Sequence, residues 1–141
     1  MGFNITLSKS IPYALAEHIL PFNWDVRKVW ALDTLPMVIP REDIDYLLYL
    51  PLWSSIPNNG MMFDTTPMEV IDDPFSYKHQ HERIAKADLS HPLEMLLMDY
   101  RPWILDGVHR LARLYIEEIE IVAVRFHSES TISKIKLEHY G

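Results

Sequence analysis

The segment from Arg101 to Arg113, which reads RPWILDGVHRLAR, constrains the fold more than any other part of the chain. A short apolar run, Trp103 to Leu105, passes through Asp106-Gly107 directly into a helical spacing of apolar residues. A run of this kind that ends in Asp-Gly and continues with a period of 3.6 is typical of a buried strand, a tight turn and a helix. We therefore predict that a helix begins near Val108.

The first turn of this helix has an unusual distribution of charge. The apolar residues of this helix recur at the spacing of one helical face: Val108, Leu111, Ala112 and Tyr115. The opposite side then carries His109, Arg110 and Arg113. A helix N-terminus carries partial positive charge and unpaired N–H groups, so cations there are unfavourable. The pattern favours a phosphate held by the amides after Gly107, with His109 and Arg110 around it.

A purely structural interpretation accounts for the same residues. Asp106 would be the N-cap of the helix and Gly107 a turn glycine. Arg113 would pair with Glu117 at i, i+4. The residues by themselves leave both interpretations open.

The motif DGVHRLA, from Asp106 to Ala112, is followed after a short helix by IVAVR, from Ile121 to Arg125. This combination resembles the signature of the ParB/sulfiredoxin superfamily, and SHPLEML, from Ser90 to Leu96, is similar to the upstream strand of that family. The resemblance covers about residues 88–126. In this superfamily the Gly-x-His-Arg turn binds nucleotide phosphates. The resemblance therefore implies a ligand-binding or phosphate-binding set at this turn, comprising Gly107, Val108, His109, Arg110 and Arg113.

The Asp-Gly-x-His-Arg branch of the family includes small-molecule kinases such as the free-serine kinases. The resemblance thus implies ATP or another nucleotide as the cofactor, with Mg²⁺. For such an enzyme we expect Asp106 to orient the metal ion or a hydroxyl nucleophile. Asp88 or His91, at the mouth of the neighbouring strand, would serve as the general base.

Two departures from the family limit what the resemblance implies. A sulfiredoxin needs a cysteine where this chain has Val108, and the chain contains no cysteine, so thiol-dependent reduction is excluded. ParB partition proteins carry a basic helix-turn-helix domain after the nucleotide module, whereas this chain stops at Gly141. We therefore do not expect DNA partitioning.

The 141 residues predict one domain, of class α+β, with a small mixed sheet flanked by helices. Residues 1–87 form a helical and irregular part, residues 88–126 the family-like core, and residues 127–141 a terminal strand. Within the irregular part, residues 54–66 are long enough for a binding loop, with a turn at Pro57 to Gly60. The predicted strands of the sheet cover residues 35–39, 93–98, 102–105 and 120–126.

Composition narrows the classes of partner. The formal net charge of −7 repels nucleic acid, so direct nucleic-acid binding is not expected. No apolar run approaches the roughly 20 residues of a membrane span, and the absence of cysteine suits a cytoplasmic protein. His79 and His81 are two residues apart, which on a helix directs them away from each other, so we expect no metal site there.

Two functions are compatible with these features. The first is a nucleotide-dependent phosphotransferase or nucleotidase that acts on a small molecule. The second is a non-catalytic module that binds a nucleotide or phosphorylated ligand and signals its presence to a protein partner. A stable scaffold that keeps the motif without activity is a third alternative, because fold does not imply function.

Overall fold

The computed structural model describes residues 13–57 and 63–137, and it has a mixed α+β fold. Its sheet consists of four strands: β1 (Met37–Pro40), β2 (Leu93–Met98), β3 (Arg101–Asp106) and β4 (Ile121–His127). The helices are α1 (Val26–Trp30), α2 (Pro67–Asp72), α3 (Lys78–Lys86), α4 (Val108–Ile116) and α5 (Ile132–Ile135). Short 3-10 turns lie at Tyr13–Leu15, Arg41–Asp43, Asp45–Tyr49 and Glu129–Thr131.

The sheet is mixed, as predicted, with the strand order β1-β4-β2-β3. Strand β2 runs parallel to β4, with Leu93 opposite Val124, while the β1–β4 and β2–β3 pairs are antiparallel. The predicted strands differ from the observed ones by no more than two residues at either end. Strand β2 is interior, between β4 and β3, and apart from Glu94 its side chains are apolar on both faces.

Each face of the sheet is covered by helical elements. Leu93 and Met95 of β2 belong to a cluster with Leu111 of α4, on the face covered by α4. Leu96 of β2 belongs to a second cluster with Val29 of α1 and Ile135 of α5, on the opposite face. The sheet is therefore the middle of three layers, and the two apolar clusters stabilise it from both sides.

The predicted terminal strand over residues 127–141 is wrong for the part that the structure describes. Residues Glu129–Thr131 form a 3-10 turn and Ile132–Ile135 a helix, and Lys136 makes an isolated bridge to Trp24. Ile132 and Ile135 both pack into the second cluster. Apolar residues three positions apart meet on one side of a helix, and this burial outweighs the alternation with lysines that suggested a strand. Residues 138–141 lie outside the described residues.

The loop over residues 54–66 is closed at its base. Trp53 and Thr65 form an antiparallel bridge, and Asp64 accepts hydrogen bonds from the backbone N–H and the hydroxyl of Ser55. Thr66 then caps α2 in a complete capping box with Glu69. The predicted turn at Pro57 to Gly60 extends beyond the described residues after Pro57.

Candidate functional site

The turn between β3 and α4 is held by Gly107, which adopts a left-handed backbone with φ of 113° and is the N-cap residue of α4. A Cβ at this position would lie 2.9 Å from Cγ of Leu93 and 3.2 Å from its Cα. Glycine is thus required here both by the positive φ and by the close approach of β2. Helix α4 begins at Val108, as predicted, but Asp106 is not its cap.

The carboxylate of Asp106 instead makes hydrogen bonds to side chains of two helices. Its Oδ2 accepts a hydrogen bond of 2.9 Å from the indole Nε1–H of Trp30 and one of 3.2 Å from the guanidinium of Arg110. The same guanidinium nitrogen of Arg110 donates to the carbonyl of Pro92 at 3.1 Å. Only 15% of the Arg110 side chain is exposed. Arg110 therefore joins the turn to the start of β2.

His109 is directed elsewhere. Its ring stacks on Trp53 with ring centroids 4.1 Å apart, and its Nε2 lies 2.7 Å from Oε1 of the buried Gln80. Burial lowers the pKa of His109 to about 3, and the positive charges of Arg83 and Arg110 act in the same direction. The imidazole is therefore uncharged at neutral pH.

Arg113 closes the end of a neighbouring helix. It donates to the carbonyls of Ala85 and Ala87, at the C-terminal end of α3, at 3.3 and 2.7 Å. Its Nε also pairs with Glu117 at 2.6 Å, as the i, i+4 spacing predicted. Cations at helix C-termini stabilise the last carbonyls. His109 and Arg113 thus contact different parts of α3, whereas Arg110 contacts the start of β2, and the three side chains have no partner in common.

Asp88 and His91 form an exposed pair before β2. Their side chains are 59% and 67% exposed, with 3.4 Å between Oδ2 of Asp88 and Nε2 of His91. The hydroxyl and backbone N–H of Ser90 donate to Asp88, and these hydrogen bonds lower the pKa of its carboxyl. His91 shares a cavity with Arg110, while Gly107 lines a different one.

A cavity of about 320 Å³, which we call the aromatic cavity, lies at the N-terminus of α4. The indoles of Trp24 and Trp53 and the ring of Phe63 line it, together with the turn residues 106–109. Nε1 of Trp24 donates to the carbonyl of Leu105 at 3.2 Å, which fixes this ring against β3. The site thus combines aromatic walls with the backbone of a helix N-terminus that has no side-chain cap.

A second cavity of about 590 Å³, the basic cavity, shares Leu52, Trp53 and His109 with the first. His79, Arg83 and Lys86 of α3 line it. Their i, i+4, i+7 spacing places them on one helical face. Sequence reasoning compared His79 with His81 only and missed this spacing. His81 lies on the same helix, and its Nε2 is 3.3 Å from the carbonyl oxygen of Asp73.

A third cavity of about 540 Å³, the polar cavity, is lined by Trp30 and Arg110, the two partners of Asp106. Glu94 also lines it, and Arg125 pairs with this carboxylate at 2.9 Å. Glu94 is only 4% exposed. The alternation of β2 put Glu94 on one face of a strand expected to be interior, yet no functional part was predicted for it. A lone carboxylate in such a strand signals a buried polar partner.

Among the described residues, no group of three or more histidine and acidic side chains could hold a metal ion. Within the same ranges, no helix is long and apolar enough to cross a membrane. Comparison with protein-family models, with curated proteins and with solved structures finds no significant match to this chain.

Proposed function

We propose that this chain binds a nucleotide, or another phosphorylated small molecule with a planar group, in the crevice made of the aromatic and basic cavities. The observation that carries the proposal is the stacked pair Trp53–His109, which lines both cavities. It joins a wall suited to a planar ring to a wall suited to phosphate. A nucleotide contains both a planar ring and phosphate groups.

The aromatic cavity suits the planar part of the ligand. Apolar cavities with a few polar groups are the usual form of small-molecule sites. Trp24 and Phe63 bring aromatic rings to its wall beside Trp53, and Asn23 lines the same cavity with an amide that could read a base edge.

The basic cavity suits the phosphate part. Arg83 and Lys86 carry positive charge on one face of α3, and among the described residues neither takes part in an ion pair. Glu82 also lines this cavity, so the local charge is mixed but contains more cations than acids. In a chain with a formal charge of −7, this local excess favours an anionic ligand.

The proposal keeps the nucleotide that the ParB/sulfiredoxin resemblance implies, together with that fold assignment, and changes which residues hold it. Gly107 and the amide of Val108 face the aromatic cavity, and uncharged His109 is a wall of the crevice. Arg110 and Arg113 act structurally through their carbonyl and carboxylate partners. ATP with Mg²⁺ is the first ligand to test.

We propose binding without catalysis as the primary activity. The catalytic candidates Asp88 and His91 are largely exposed, and His91 lines the polar cavity instead of the crevice. A general base must lie within hydrogen-bond reach of the proton that it removes. Phosphoryl transfer or hydrolysis is the second candidate function. It is supported by Asp106, which lines the aromatic cavity and is the residue expected to orient a metal ion or a hydroxyl nucleophile.

Calorimetric titration with ATP and with CTP, each with and without Mg²⁺, tests the proposal. The double variant Arg83→Ala/Lys86→Ala should lower the affinity at least about tenfold, since each lost charge-assisted hydrogen bond costs about 1.5–3 kcal/mol. The matched control is Arg27→Ala/Lys28→Ala on α1, which removes the same two charges from an exposed helix and should leave the affinity unchanged.

The two halves of the crevice can be tested separately. Adenosine should compete with ATP through the aromatic cavity, and inorganic pyrophosphate through the basic cavity. Release of ADP or phosphate during the titration would establish the catalytic candidate. Absence of binding by every nucleotide at millimolar concentration, or equal affinity in the α3 double variant, would overturn the proposal.

A further inference from the structure

Thr34, His127 and Glu94 form a continuous hydrogen-bonded chain between α1 and the sheet. The hydroxyl oxygen of Thr34 lies 2.6 Å from Nδ1 of His127, and Nε2 of His127 lies 2.7 Å from Oε1 of Glu94. His127 has no exposed surface and Glu94 is 4% exposed. Thr34 lies at the outer end of this chain, where its side chain lines the polar cavity.

The direction of the hydrogen bonds follows from the charges. A carboxylate only accepts, so Nε2 of His127 carries the hydrogen that is donated to Glu94. Arg125 already balances the charge of Glu94 through a contact of 2.9 Å. With the ring hydrogen on Nε2, Nδ1 of the neutral imidazole is an acceptor, and the Thr34 hydroxyl donates to it.

The network is rigidly supported. Arg125 donates to the carbonyl oxygens of Val29 and Leu32 at 2.7 and 2.8 Å, at the C-terminal end of α1. These bonds tie strand β4 to the segment that carries Thr34. Glu94 and His127 thus lie on strands β2 and β4, and Arg125 holds the irregular segment that carries Thr34 against β4.

We propose that Thr34 is a nucleophile for acyl transfer, with His127 as its general base and Glu94 as the group that orients the base. A hydroxyl, an imidazole and a carboxylate in series, each within hydrogen-bond reach of the next, is the arrangement that activates a hydroxyl nucleophile. The substrate class is an ester with an anionic group, because two arginines, Arg110 and Arg125, line this cavity with one carboxylate, Glu94, and cations therefore outnumber acids there.

The reaction balances without any other reagent. Oγ1 of Thr34 forms a bond to the carbonyl carbon of the ester as its proton passes to Nδ1 of His127. The carbon–oxygen bond to the leaving group then breaks, and the leaving oxygen takes this proton. Water, deprotonated by the same imidazole, hydrolyses the acyl group from Thr34 and releases the free acid. During both steps Glu94 stabilises the transient imidazolium ion.

The test uses the full chain with mono-4-nitrophenyl terephthalate as the anionic ester, whose carboxylate cannot reach its own ester carbonyl, and 4-nitrophenyl benzoate as the neutral one. We expect an initial release of nitrophenolate in proportion to protein, faster with the anionic ester, and a 4-carboxybenzoyl group on Thr34 in peptide mass spectrometry. Thr34→Val, which keeps the shape and removes the hydroxyl, should abolish both. Thr131→Val is the matched control, since this hydroxyl donates to the carbonyl of Ser128 away from the chain of three groups.

The orienting role has its own readout. Glu94→Gln should slow acylation at least about 100-fold, the usual contribution of general-base catalysis, and should displace the pH profile of the remaining rate. Thr34→Ser keeps a hydroxyl at this position and should retain acylation. This variant tests the proposal if Glu94→Gln fails to fold. An adduct at another residue, or an equal rate in Thr34→Val, would overturn the proposal. ATP affinity should be the same in Thr34→Val, so this outcome is independent of the nucleotide crevice.

Discussion

The imidazole of His109 lies parallel to the indole of Trp53, with 4.1 Å between ring centroids and 10° between ring planes. The same imidazole also contacts Gln80, whose Oε1 accepts a hydrogen bond of 2.7 Å from Nε2 of His109. Gln80 in turn donates to the carbonyl of Ser54 at 3.0 Å. The first turn of α4 is thereby joined to α3 and to the base of the loop that follows Trp53.

Acidification should destabilise the protein through His109. Its pKa is 6.5 in the unfolded chain and about 3 in the folded one. Between these values the unfolded chain binds a proton that the folded chain does not, so stability is complete above pH 6.5 and falls as the pH decreases. From pH 7 to pH 5 we expect a loss of up to about 2 kcal/mol, measured by urea unfolding.

His109→Gln should flatten this dependence, because an amide does not titrate in this range. Burial also lowers the pKa of His18, which therefore contributes in the same pH window and requires its own variant, His18→Gln, as the control. Carboxyls with lowered pKa, such as Asp64, lose their contribution only below their unfolded value of 3.8. An unchanged slope between pH 7 and pH 5 in His109→Gln would contradict the prediction.

Arg110→Ala should lower the free energy of unfolding by about 1.5–3 kcal/mol, because it leaves Asp106 and the carbonyl of Pro92 without a charged donor. If Arg110 instead contacted a phosphate, as the sequence resemblance implies, its loss would weaken ligand binding with little change in stability. Arg27→Ala, whose side chain is 82% exposed, is the control and should change stability little. Chemical denaturation of both variants decides between the two expectations.

Gly107→Ala should destabilise the fold by about 1–3 kcal/mol, the usual range for a residue forced into an unfavourable backbone region. The added Cβ would also lie 2.9 Å from Leu93. A Gly107→Ala protein with unchanged thermal unfolding would show that the turn adopts another conformation.

Thr66→Ala should cost about 1 kcal/mol, since its side chain accepts from the backbone N–H of Glu69 at 3.0 Å at the start of α2. Thr66→Ser keeps the hydroxyl and should be close to the wild type. Equal unfolding midpoints for Thr66→Ala and the wild type would mean that packing alone fixes this helix start.

The sequence by itself determined the local elements. The apolar run before Asp106-Gly107 predicted β3 and the start of α4, and the capped start of α2 is built from Thr66, Pro67 and Glu69, which lie within one turn of each other. These features depend on backbone geometry and on groups a few residues apart, so they are encoded locally. The sequence also separated the buried set of α4 from its polar set, except that Leu114 is more buried than Tyr115.

Only the tertiary structure decided what the polar side chains contact. Arg110 meets Pro92, 18 residues away, and Glu94 meets His127, 33 residues away. Helical spacing gives the direction in which a side chain leaves its own element, and it contains no information about which element lies opposite. The sheet order β1-β4-β2-β3 places these partners together. For the same reason, the sequence suggested that His109 and Arg110 bind one phosphate together. In the fold His109 contacts Gln80, whereas Arg110 contacts Pro92 and Asp106.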